Sequence, residues 1–165
     1  MVVDHLGGSG KLSYKLTELR NALCGVHVLL DHDDAGRMAA EKAEAEKLLR
    51  PVDVHYTTCL GKKSSEWEDL VAVDLYNDWV STEYGVHLSG SSFQNSKPWS
   101  ERVRDTFLGA AKTWNEKIRT DIKVGIAELI EKSPAIALNS HTRAPVEQLQ
   151  AELERKVSTR SSRPP

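Results

Sequence analysis

The chain has 165 residues, the length of one ordinary domain able to bury a core. Its formal charge of −2 excludes a global basic field, so nucleic acid would be met through a local patch or through bound metal. Cys24 and Cys59 fit neither a zinc spacing nor a disulfide framework, and read as reduced thiols. No apolar run approaches the roughly 20 residues of a membrane span, and no signal-peptide pattern opens the chain, so a cytoplasmic protein is expected.

Met1 to Leu6 reads as a short strand running into the turn Gly7-Gly8-Ser9-Gly10. That turn is not a nucleotide loop, because a phosphate-binding pattern needs glycine where His5 stands and Ser or Thr where Leu12 stands. Leu12, Leu16, Leu19 and Leu23 recur at helical spacing. Val26 to Leu30 is an apolar strand, and Ala35 to Leu49 a helix rich in Ala, Glu and Lys that Arg50-Pro51 should stop. Val52, Val54 and Tyr56 alternate as strand residues do. Strand–helix–strand alternation of this length predicts right-handed crossovers and a mainly parallel sheet.

Gly61 to Ser65 is a polar turn, and Glu66 to Leu70 opens a further helix. Beyond the Ser/Gly/Asn loop 89–98, Val103, Phe107, Ala111, Trp114, Ile118, Ile122, Ile126 and Leu129 mark a long amphipathic helix or a broken pair. Ser133-Pro134 ends it. Val146, Leu149, Leu153 and Val157 trace a last weak helix, and Ser158 to Pro165 has the composition of a disordered tail. The expected organisation is an α/β core over 1–88, a loop over 89–98, a helical extension over 99–133 and a weakly helical to disordered tail over 134–165.

Chemistry concentrates where the strand Val26–Leu30 delivers Asp31-His32-Asp33-Asp34 to the start of a helix. Ligands of open α/β sheets sit at the carboxyl ends of strands. Asp31 and Asp33 share a side if the strand persists, which turns His32 away. Carboxylates so close repel one another unless protons or a cation relieve them, and a hard divalent ion such as Mg2+ does so at neutral pH. The plainer alternative is an acidic helix cap. Glu66, Glu68 and Asp69 follow the next strand and would reach the same rim, which suits one or two Mg2+ or Mn2+ ions acting on a phosphodiester. Their plain alternative is again a helix start favoured by acids. The four tryptophans read as core or interface anchors, and the six histidines as scattered.

Val28-Leu29-Leu30-Asp31-His32-Asp33-Asp34-Ala35-Gly36 resembles the aspartate-x-aspartate motif of the Toprim domain, shared by topoisomerases, primases and the OLD (overcoming lysogenisation defect) endonucleases. Ser65-Glu66-Trp67-Glu68-Asp69-Leu70 looks like the second acidic cluster of the OLD branch, and Lys97-Pro98-Trp99 and Asp121-Ile122-Lys123-Val124 resemble its C-terminal part. The resemblance covers roughly residues 1–131. It implies a three-layer α/β fold with a C-terminal helical extension and metal-dependent endonuclease activity on DNA. By the same resemblance Asp31, Asp33, Glu66 and Glu68 would be ligands for Mg2+ or Mn2+, and Lys123 the lysine that assists phosphate chemistry.

The pattern departs from the family at its start. The family's first strand with its glutamate, and the ATPase domain that precedes an OLD Toprim module, have no counterpart before Met1-Val2-Val3-Asp4-His5. The expectation is a truncated module, one completed in trans by an ATPase domain or a homologous chain, or a homo-oligomer. The rival expectation is a non-catalytic remnant or interaction subunit whose partner supplies the missing strand. A phosphatase with Asp31 as nucleophile is a weaker third reading, because Ala35 stands where Thr or Val belongs.

Overall fold

A computed structural model describes residues 3–4, 6–22, 24–90, 93, 96–138 and 142–161. Among them the chain is a mostly helical α/β protein with six α-helices and a two-stranded parallel sheet. It divides into two compact units, residues 1–57 with 145–165, and residues 58–144.

In the first unit Gly7 and Gly8 take positive φ, a region glycine enters without steric cost, and the turn Ser9–Lys11 leads into α1, Leu12–Asn21. Then come β1, Val28–Asp31, α2, Asp34–Ala45, and β2, Val54–Thr57. The strands pair in parallel with Val28 opposite Val54 and Asp31 opposite Thr57. Val28 and Leu30 turn inward with Val54 and Tyr56, and Leu12, Leu16, Ala40, Ala43 and Leu49 complete the cluster. Helix α2 stops at Ala45, short of the expected Leu49, because Lys47 takes a left-handed φ of 57° and Leu48 caps back onto Ala43. The proline at 51 instead opens a short 3-10 turn before β2. Val52 lies in that turn and is exposed, so only Val54 and Tyr56 carry the predicted alternation. Val3, Asp4 and Leu6 form no strand, and Met1, Val2 and His5, the rest of the predicted first strand, lie outside the described residues.

The second unit is helical. Trp67–Leu70 forms a single 3-10 turn rather than a longer helix. After a second 3-10 turn, Val73–Leu75, come α3, Asn77–Tyr84, α4, Trp99–Gly109, and α5, Glu116–Lys132. The long apolar pattern is therefore a broken pair. The break has a local cause: Ala111 is held at φ 54°, and the Asn115 side chain accepts from the Ile118 N–H to start α5 afresh. Val80, Trp99, Val103, Phe107, Ile122 and Ile126 meet Tyr76, Leu88 and Phe93 in one apolar cluster. The last helix, α6, spans Arg143–Ser161, so helical backbone passes Ser158, where composition predicted order to end. Residues 162–165 lie outside the described ones. No helix among the described residues is long and apolar enough to cross a membrane.

Gly125, in the middle of α5, leaves room for an aromatic ring. A Cβ there would fall 2.2 Å from Cη2 of Trp79 and 2.6 Å from Cζ2. Alanine gains about 1 kcal/mol of helix propensity but must displace an indole, and overpacking of this kind costs about 1–3 kcal/mol. Gly125→Ala is therefore expected to lower stability in urea denaturation by about 1 kcal/mol. An increase would contradict the packing.

Candidate active site

Asp31 ends β1, and the backbone turns at once into α2. Thr57, the partner of Asp31 in register, reaches across with Oγ1 3.4 Å from Asp31 Oδ1. Asp33 is extended and caps α2, its Oδ1 accepting from the Gly36 N–H at 2.6 Å. Such a cap stabilises a helix by about 1 kcal/mol. Asp34, already in the helix, pairs with Arg37 on the surface. Gly36 is required by this geometry, since a Cβ would sit 2.3 Å from the Asp31 carbonyl oxygen. His32 stands edge-on to Tyr56, with ring centroids 5.9 Å apart, turned toward the inner side as strand parity predicts. The expected acidic turn between strand and helix therefore forms, and Asp33 serves the plainer capping role at the same time.

Glu66, Glu68 and Asp69 are buried in and around the Trp67–Leu70 turn of the second unit. Lys123 reaches from α5 and places Nζ 3.0 Å from Oε2 of both Glu66 and Glu68. The same ammonium lies 5.5 Å from the centroid of the Trp99 ring. Glu66 Oε1 also accepts from the Ser100 N–H and hydroxyl at the start of α4. Burial pushes the Glu68 carboxyl above its usual range, and Lys123 offsets only part of that. Burial opposes the charge of Lys123 as well, yet the Glu68 and Glu66 carboxylates outweigh it and raise its pKa above that of an ordinary lysine. One ammonium here answers two carboxylates.

Asp69 is spent on structure. Its side chain has no solvent exposure, and Oδ2 accepts from the N–H groups of Glu66 at 2.9 Å and Trp99 at 3.1 Å. Oδ1 accepts from Arg102, and the Lys62 ammonium stands 3.4 Å away. Three carboxylates thus face three cationic side chains, Lys62, Arg102 and Lys123, so the formal charge of the group is zero. The repulsion that pointed to a metal ion is relieved here by protein cations.

Asp31 and Asp33 therefore lie together in the first unit, and Glu66, Glu68 and Lys123 in the second. Sequence reasoning missed Arg102 and Lys62 as partners of Asp69, because residues 33 and 7 positions away carry no local signal. It also read His27 and His55 as scattered, although strand parity and register place them side by side. The chain matches no family model, no curated protein and no solved structure.

Removing the shared ammonium leaves two buried carboxylates facing one another. Breaking a buried pair costs about 3–5 kcal/mol, and a third of the Lys123 side chain meets solvent, so Lys123→Met should cost about 2 kcal/mol at pH 8. A carboxyl whose folded pKa lies above its unfolded value adds stability below the unfolded pKa and loses it as pH rises through the folded one. The deficit of Lys123→Met, measured by chemical denaturation, should therefore shrink at pH 5. A deficit equal at both pH values would refute the pairing.

Proposed function

We propose that this chain carries a Toprim-type, metal-dependent DNA endonuclease module of the OLD-like class, with the three-layer fold that class implies. The observation that carries this reading is the meeting of Lys123 with Glu66 and Glu68, 57 and 55 residues away in sequence, at 3.0 Å from each. Position after a strand marks Glu66 and Glu68 in the sequence, and resemblance alone marks Lys123. Asp31 and Asp33, at the carboxyl end of a parallel strand, offer the hard oxygen donors that Mg2+ or Mn2+ prefers. When bound, such an ion supplies Lewis acidity to a phosphodiester.

The protein's own residues do the rest. The Gly36 N–H fixes the Asp33 carboxylate, and Thr57 steadies Asp31. Lys123 brings a permanent positive charge to phosphate oxygens, and its raised pKa keeps it from acting as a base at neutral pH. Glu66 and Glu68 act as the second acidic group by yielding Lys123 to the phosphate. DNA is the substrate, approached through metal because the chain's own charge is −2. An ATPase domain or homologous chain in trans, or self-association, is the partner that the OLD-like class implies.

A second reading, an interaction subunit without catalysis, is favoured by one observation. Neither outer edge of the β1–β2 pair is joined by a further strand among the described residues, which suits strand addition by a partner.

Mn2+-dependent nicking of plasmid DNA separates the two. Asp31→Asn and Asp33→Asn should each reduce it at least a hundredfold, by the loss of one metal-binding charge. Asparagine caps a helix as well as aspartate does, so Asp33→Asn keeps the α2 start and circular dichroism should not change. Undiminished nicking in both variants would sink the endonuclease reading.

A further inference from the structure

The β1–β2 sheet has a second face. Val28, Leu30, Val54 and Tyr56 turn to the apolar cluster, so His27, Leu29 and His55 take the opposite side. Leu29 pairs with His55 in register, and His27 stands two positions before Leu29, which brings the imidazole centroids to 6.4 Å. Residues of α6 meet this face with polar groups. Glu152 Oε2 lies 3.5 Å from His55 Nδ1, and one helical turn on, Lys156 Nζ lies 2.7 Å from His27 Nδ1. Lys156 is also held by Val52 O at 2.6 Å and Asp53 Oδ1 at 3.0 Å.

One ligand atom from each of His27, His55 and Glu152 lies within 4.8 Å of the other two. All three residues are half-buried. The Nε2 atom of His27 is shielded from solvent and has no hydrogen-bond partner among the described residues. A buried polar atom left unsatisfied is costly, and a ligand that takes it removes the cost.

We propose that His27, His55 and Glu152 form a site for a divalent transition metal of the zinc class, which clamps α6 onto the outer face of the β1–β2 sheet. Two imidazoles and one carboxylate are a borderline-soft set that suits zinc and excludes Mg2+, whose preference is for oxygen alone. Bonds of about 2.0–2.2 Å in a tetrahedron hold ligand atoms roughly 3.4 Å apart, so a small swing of the side chains closes the site. Three protein ligands leave the fourth position to water. Burial, reinforced by the Lys156 charge, holds His27 below the ordinary imidazole range, in the neutral form that binds metal. Lys156 donates to Nδ1 in the metal-free protein, which places the ring proton on Nε2. Loading Nε2 moves that proton to Nδ1, and Lys156 retires onto Asp53 and Val52, which it already contacts. This site uses none of the residues assigned to the endonuclease reading and stands or falls without it.

The test is equilibrium dialysis of the full chain against Zn2+, with hydrogen exchange of α6 amides followed in parallel. One zinc per chain is expected, bound at least tenfold more weakly by His55→Ala and by Glu152→Gln, with α6 amides exchanging more slowly when zinc is present. Glu152→Gln changes one half-buried helix residue and keeps its shape, so weaker binding by a variant with unchanged circular dichroism reports the site itself. A folded parent that binds no zinc, or either variant binding within tenfold of the parent, would overturn the proposal.

Discussion

The carboxylate of Asp69 is the constraint on which the second unit depends. It is removed from water, a loss that would cost several kcal/mol if uncompensated. Two backbone N–H groups, a guanidinium and an ammonium compensate it. Because those donors come from residues 62, 66, 99 and 102, the carboxylate ties the polar turn, the Trp67–Leu70 turn and the start of α4 to one point. Arg102 extends the tie: it donates to the Phe93 carbonyl at 2.6 Å and lies 4.3 Å from the centroid of the Phe93 ring. Trp99, seated by Asp69 through its N–H, donates its indole N–H to the Tyr76 hydroxyl at 3.1 Å inside the apolar cluster. The irregular segments of this unit are thus ordered by charge and hydrogen bonding where no strand or long helix could order them.

That constraint shapes the chemistry. Glu66 and Glu68 sit on the backbone that Asp69 fixes, so they present a preorganised pair to Lys123 from α5. The Lys123 ammonium offsets the charge of the two carboxylates at 3.0 Å from each. The aspartates after β1 differ. Asp33 spends one oxygen on a cap, Asp31 meets a threonine hydroxyl, and Asp34 pairs with Arg37. In the endonuclease reading Asp31 and Asp33 answer for the metal, and Lys123 for the phosphate.

Much of the first unit was legible in the sequence because its signals are local. Leu12 and Leu16 mark the buried side of α1, and Val28 and Leu30 the inner face of β1. The parallel pairing of the strands followed from the helix between them. Boundaries were less legible: a left-handed Lys47 ended α2 before the proline could. Glu66 to Leu70 looked helical because acids favour helix starts, but tertiary contacts to Trp99, Ser100 and Lys123 hold a single 3-10 turn there. Lys123 was visible only through resemblance, since nothing in helical spacing distinguishes it from a solvated lysine. The histidine pair was hidden because its meaning depends on strand register, which composition does not carry.

Isothermal titration with Mn2+, on the parent chain and on Asp31→Ala, tests the central claim that the turn after β1 is a cation site. The account predicts saturable binding by the parent and its loss in the variant, with both proteins folded. A folded parent that binds no Mn2+, or a variant that binds it equally well, would contradict the account.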